Sequence, residues 1–124
     1  MSQFQIHIPS DINPQPSDQE ISAARIVAEF FQNDVTFIKR ASTHTPDMLI
    51  RNQSWEHKSP CGNGKRTIQN NLREADNQSC FVIIDLRVCK MRQDEAIRRI
   101  HYELTKATAI KRLIVITKKV LVIK

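Results

Sequence analysis

The amino-acid sequence predicts an α+β fold: a central mixed or antiparallel β-sheet of about five to six strands, with an N-terminal helix and two further helices packed on it. Three observations predict it. Ser17-Asp18-Gln19-Glu20 has the spacing of a capping box and opens an amphipathic stretch. Two later stretches, from Thr67 and from Asp94, repeat apolar residues at helical spacing. Phe81 to Leu86 and Leu113 to Ile116 are short β-branched runs of the kind that fill a buried strand.

The elements follow in order. Residues 1–16 hold three of the five prolines and read as a linker or leader, with Phe4, Ile6 and Ile8 alternating as an edge strand would. Residues 17–124 read as a single domain. The first helix runs to Phe31, with Ile21, Ala24, Ala28 and Phe31 on one face, and Asn33-Asp34 stops it. Val35 to Lys39 is a strand, and Ala41 to Thr45 a polar connection. Asp47 to Ile50 and Trp55 to Lys58 form a hairpin around Arg51-Asn52-Gln53-Ser54. Ser59 to Gly64 is a loop carrying both glycines, and Thr67 to Ala75 is a helix. Phe81 to Leu86 is a strand, Asp94 to Ala107 a helix, and Leu113 to Ile116 and Val120 to Ile123 the last two strands. The order of the strands in the sheet stays open.

The chain has 124 residues, enough for one hydrophobic core, with 40% apolar and 26% charged residues, the balance of a globular protein. Its net charge is +6. From Leu86 to Lys124 eleven Lys or Arg stand against three acids, so that part carries +8 and the remainder −2. A basic face suits a polyanion; a solvated surface is the alternative. Three cysteines without CxxC spacing argue against a closed disulfide framework and a zinc site. There is no signal peptide and no apolar run of membrane-spanning length, and the chain is read as a monomer.

With Asn52-Gln53 central in the hairpin, Asp47 lies opposite Lys58 and Leu49 opposite Glu56. Asp47, Glu56 and Lys58 then share one face of the sheet, while Met48, Ile50, Trp55 and His57 turn to the core. Two carboxylates and a lysine can do phosphoryl chemistry in two ways. Asp47 and Glu56 can be hard ligands for Mg²⁺ beside Lys58. Without metal, a carboxylate can be general base for a ribose 2′-hydroxyl while Lys58 neutralises the transition state. A plain Asp47–Lys58 ion pair is the bland alternative.

The loop that follows, with Lys65, Arg66 and the Thr67 helix start, is a generic phosphate-contact element. Gln69, Asn70, Asn71, Arg73 and Gln78 give the helix a polar face. Asp85 and Arg87, and Thr117 and Lys118, end two strands, a common site position in such sheets. His57 reads as packed, His101 and His7 carry no signal, and His44 sits in a polar loop. Cys61 is the one plausible reactive thiol.

From Thr45-Pro46-Asp47-Met48-Leu49-Ile50 through Ser54-Trp55-Glu56-His57-Lys58-Ser59-Pro60 to Gly62-Asn63-Gly64-Lys65-Arg66-Thr67-Ile68, the chain resembles the C-terminal tRNase toxin domains of CdiA-type contact-dependent growth inhibition proteins. The resemblance continues through Asn71-Leu72-Arg73, Gln78-Ser79, Phe81 to Arg87 and Ile116-Thr117-Lys118. It implies a fold similar to the barnase/EndoU/colicin/RelE group and metal-independent, cofactor-free cleavage of tRNA, often in the anticodon loop. It also implies a cognate immunity protein and secretion within a larger effector that acts in a target-cell cytoplasm. The groove-facing residues it implies are Glu56, Lys58, Lys65, Thr67, Arg73 and Thr117; together with those read from the chain itself, the candidates are Asp47, Glu56, Lys58, Thr67 and Thr117 for catalysis and Lys65, Arg66, Arg73, Arg87 and Lys118 for phosphate.

A second resemblance uses the same residues. Pro46-Asp47 followed by Glu56-His57-Lys58 is similar to the PD-(D/E)XK nuclease signature, with Glu20 or Glu29 as a helix acid. It implies a Mg²⁺-dependent enzyme acting on tRNA or DNA. A non-catalytic basic domain that binds nucleic acid or protein is the reading from outside the enzymes.

Overall fold

A computed structural model describes residues 3–41 and 45–124. The elements are β1 (Ile6–His7), α1 (Asp18–Phe31), β2 (Val35–Phe37), β3 (Met48–Ile50), β4 (Gln53–Lys58), α2 (Thr67–Gln78), β5 (Phe81–Asp85), α3 (Gln93–Leu104), β6 (Arg112–Ile116) and β7 (Val120–Val122). The seven strands form one sheet in chain order, and the short edge strand β1 takes the count above the expected five to six. β2, β3 and β4 form an antiparallel meander, β4, β5 and β6 run parallel, and β7 returns antiparallel to β6. β1 adds parallel to β2, and Ile12 is buried in the core, so the proline-rich segment packs on the sheet.

The two faces of the sheet are covered by different helices. α1 begins at the capping box: Ser17 Oγ accepts the Glu20 amide at 3.1 Å and Glu20 Oε1 accepts the Ser17 amide at 3.0 Å. Its buried side is Ala23, Ala24, Val27 and Ala28, small enough to bring the helix close to Phe37, Met48, Ile50, Trp55, Ile83 and Ile114. α2 and α3 are the crossovers that parallel strands require, and they cover the other face. Ile68, Leu72, Ala75, Ala96 and Ile100 meet Val82, Ile84, Leu113 and Val115 there. Alternation along β5 sends Val82 and Ile84 to α2 and α3, and Ile83 and Asp85 to α1. Burial on both sides is why Phe81 to Leu86 reads as continuously apolar.

The hairpin register differs from the expected one. Met48 pairs with Trp55, Leu49 with Ser54 and Ile50 with Gln53, so the turn is Arg51-Asn52. Both residues sit in the left-handed region, at φ 53° and 65°, the requirement of a two-residue hairpin turn that matches strand twist. Gln53 is thereby a strand residue. The partner shift is two residues, which preserves the faces. Met48, Ile50 and Trp55 are buried under α1 as expected. Trp55 is fixed there between the rings of Phe31 and Phe81, each 5.3 Å away.

A β-branched residue is strained at the φ of Asn52. Asn52→Val is expected to cost about 1–2 kcal/mol in urea unfolding, whereas Asn52→Gly loses nothing. Equal effects of the two would contradict the turn assignment.

Candidate active site

β4 changes partners along its length. Its first half, Gln53 to Trp55, pairs with β3, and its second half, Glu56 to Lys58, pairs with β5. The sheet forks at that point. The chain before β3 has already turned toward β2, with Ile38 donating to the Asp47 carbonyl at 2.9 Å. The His57 amide, on the edge that β3 has left, has no strand partner there and would cost free energy unpaired. Asp47 Oδ2 accepts it at 2.8 Å. The Asp47 amide still donates to the Trp55 carbonyl at 3.1 Å. Asp47 therefore closes the fork with its backbone and its carboxylate.

This corrects the expected pairing: Asp47 lies beside Glu56, and Lys58 answers other acids. Lys58 Nζ is 3.3 Å from Glu56 Oε2 and 3.1 Å from Glu74 Oε2 on α2. Glu56 is 3% exposed. Its Oε1 and the Ser59 hydroxyl are buried and no other described residue donates to either; the group beside the Glu56 carboxyl is the Asp47 carboxylate, with which it can share a proton. Burial first, and the neighbouring Asp47 carboxylate second, push the Glu56 carboxyl from 4.5 up to about 8 against the pull of Lys58. Near neutrality Glu56 therefore keeps its proton.

The groove at the fork has a volume of about 570 Å³ and is lined by Asp47, Glu56, His57, Lys58 and Ser59, by Gln78 of α2, by Ser17, Gln19 and Glu20 at the start of α1, and by Arg40. Of the two helix acids weighed from the sequence, Glu20 is at the groove. Glu29 is nine residues further along α1, about 14 Å by helix rise. Among the described residues no cluster of three or more His, Cys, Asp or Glu forms.

Behind the fork, on the α1 side, a second polar cluster gathers around Asp85. Asp85 is fully buried and accepts Gln19 Nε2 at 2.8 Å, His57 Nε2 at 3.2 Å and Arg87 at 2.7 and 2.9 Å. Burial alone would raise its carboxyl; hydrogen bonds from Arg87 and His57 outweigh that and hold it well below the usual carboxylate range. Arg87 also donates to Ser22 Oγ at 2.6 Å, which ties α1 to the end of β5. His57 is packed, as its place on the Trp55 face implied.

Asp47, Glu56 and Lys58 are the core of the groove, with Gln78 and Glu20 at its rim, and the other catalytic and phosphate-contact residues expected from the sequence do not gather there. Arg87 is held by Asp85. Thr117 closes the turn into β7, its hydroxyl donating to the Lys119 carbonyl at 3.1 Å, with Lys118 exposed beside it. Thr67 starts α2, where its amide donates to the Gly64 carbonyl at 3.2 Å. Lys65 and Arg66 are exposed in that loop, and the Lys65 carbonyl accepts Arg99 at 3.2 Å. Arg73 lines a separate hollow between α2 and α3. His44 lies outside the described residues. Glu74, Gln19, Arg40 and Ser59 were not singled out from the sequence. Only Glu74 carried a signal there: it precedes Gln78 by one helical turn, so the two share a face.

The chain matches the family model of the contact-dependent growth inhibition CdiA C-terminal domain over residues 43–120. Among solved structures it is similar to a CdiA-CT/CdiI toxin and immunity complex from Burkholderia pseudomallei. The TM-score is 0.58 and the identity 17%, over 97% of this chain and 98% of that one. At that identity the likeness is one of fold. No curated protein matches the chain.

The raised carboxyl has a stability consequence. Between 4.5 and about 8 the folded chain binds a proton at Glu56 that the unfolded chain has released. Its contribution is therefore complete below that window and lost as pH rises through it. In urea unfolding, wild-type stability minus that of Glu56→Gln should fall with pH across the window, by up to about 1.4 kcal/mol per unit. A pH-independent difference would refute the assignment. Arg87→Ala, which strands a buried Asp85, should cost about 3 kcal/mol, and a loss below half that would show the clamp to be minor.

Proposed function

The chain belongs to the contact-dependent growth inhibition CdiA C-terminal domain family, and from that premise we propose that it is a nuclease toxin domain that cleaves RNA, with tRNA as its substrate. One observation carries the reading. At the fork, the carboxylates of Asp47 and Glu56 lie side by side at the floor of an open groove, with the Lys58 ammonium next to them. Net basic charge and the polar rim of Ser59, Gln78, Gln19 and Arg40 suit a polyanion running across it.

The residues fit a divalent cation. Glu56 Oε1 is a buried oxygen to which no other described residue donates, Asp47 supplies a second hard oxygen, and burial first and the Asp47 carboxylate second keep Glu56 protonated. Mg²⁺ is held through one or two carboxylates with its remaining positions filled by water and phosphate, which matches a donor set this small. When bound, it lowers the pKa of a water and polarises the scissile phosphate. Asp47 and Glu56 would hold the ion, and Glu56 would have to give its proton to solvent to do so. Lys58 exchanges the exposed Glu74 for the phosphate and neutralises charge that develops there. The hydrogen bond from the His57 backbone amide keeps the Asp47 carboxylate aimed.

A metal-independent reading rests on a different property of the same residue. A carboxyl that titrates at about 8 is in part ionised just above neutral pH, and in that ionised form it can take the proton of a ribose 2′-hydroxyl, leaving a cyclic phosphate. By analogy with the Burkholderia pseudomallei complex, a cognate immunity protein binds the domain, and an acidic one would complement the basic C-terminal part. Secretion within a larger effector and action in a target-cell cytoplasm belong to the same proposal.

Incubation with total tRNA with and without EDTA tests the function. Cleavage that EDTA abolishes and Mg²⁺ restores is expected, with a loss of about 100-fold or more in Lys58→Ala and Asp47→Asn. Cleavage that survives EDTA and leaves cyclic phosphate ends would favour the second reading. No cleavage of any nucleic acid would overturn both.

A further inference from the structure

The loop that leaves β4 after Lys58 and the loop that leaves β5 are fastened to each other. The Lys90 amide donates to the Cys61 carbonyl at 3.3 Å. The Cys89 thiol donates to the Gly62 carbonyl at 3.5 Å. These two contacts set Cys61 and Cys89 side by side. An amide nitrogen and a carbonyl oxygen each lie about 2.4 Å from the Cα concerned, so the first contact limits the Cα separation of the two cysteines to about 8 Å at full extension. Bends at the carbonyl and amide shorten it toward the roughly 4.4–6.8 Å that a disulfide spans. The Cys89 side chain already points at the strip of backbone that carries Cys61. Cys61 is exposed, so an external oxidant can reach it. Cys80 is at the far end of β5, where its carbonyl takes the amides of Lys111 and Arg112, and cannot compete.

We propose that Cys61 and Cys89 are a dithiol pair that closes to a disulfide on exposure to a low-molecular-weight disulfide. The odd cysteine count then resolves into one pair and one single thiol. The Cys61 thiolate attacks a sulfur of oxidised glutathione, and one glutathione leaves as thiolate. The Cys89 thiolate attacks Cys61 Sγ in that mixed disulfide, and the second glutathione leaves. The two protons lost by the cysteines go to the two glutathiones. The protein is oxidised by two electrons and the reagent is reduced to two thiols. The bond fastens the loop that follows Lys58 to the end of β5. That loop is already close-packed: a Cβ on Gly62 would lie 3.0 Å from Thr67 Oγ1.

The test treats the whole chain with oxidised glutathione and reads intact mass, thiol count and melting temperature. The wild type should lose two hydrogens, keep one titratable thiol and melt several degrees higher, all reversed by reductant. Cys61→Ser and Cys89→Ser should form no internal bond and show no rise. Retention of three thiols, a stable glutathione adduct on wild-type Cys61, or a mapped bond that includes Cys80 would each overturn the proposal. None of these readouts depends on nuclease activity.

Discussion

The fork in the sheet is the constraint on which the site depends. β4 is too long for either neighbour alone, and it is shared between β3 and β5. At the point of exchange one strand edge is left with an unpaired amide, and the Asp47 carboxylate takes it. That single bond explains why an acid stands at the mouth of β3 and why it faces Glu56. Alternation then places Lys58 next on the same side. A backbone problem of sheet geometry and a cluster of catalytic type thus share one solution.

The two faces of the sheet hold acids in opposite states: Asp85 on β5 and Glu56 on β4. Asp85, under α1, is surrounded by donors and is held ionised; Glu56, toward α2, has one ammonium, one competing carboxylate and almost no exposure. The difference is donor supply, since both carboxyls are buried. Asp85 stabilises the joint between α1 and β5, and so fixes the helix start that carries Gln19 and Glu20. Glu56 stays protonated at the groove, and a strongly shifted carboxyl in a cleft is a mark of a candidate functional site.

Much of the fold was legible because the signals were local. The capping box, the helical spacing of Ile68 and Leu72, and the β-branched strands each stand on neighbouring residues. The shared face of Asp47, Glu56 and Lys58 was legible because parity survives a two-residue shift. The register itself was not, since Arg51-Asn52 lacks the glycine that marks such turns and strand twist decided it. Strand order was hidden for the same reason: the fork joins residues that no local pattern connects. Thr67, Arg73, Arg87 and Thr117 illustrate the limit from another side. Their type and position suit phosphate contact, but each has its place set by a turn, a helix face or a buried charge seen only in three dimensions.

The proposed chemistry turns on Asp47 and Glu56 as a carboxylate pair whose proton a divalent cation displaces. Carbon-detected NMR titration of the Glu56 carboxyl, without and with Mg²⁺, tests it most directly. The expected midpoint is about 8 without the ion and lower with it, and Asp47→Asn should bring the ion-free midpoint down partway. A midpoint at the ordinary 4.5, or one that ignores Mg²⁺, would contradict the account.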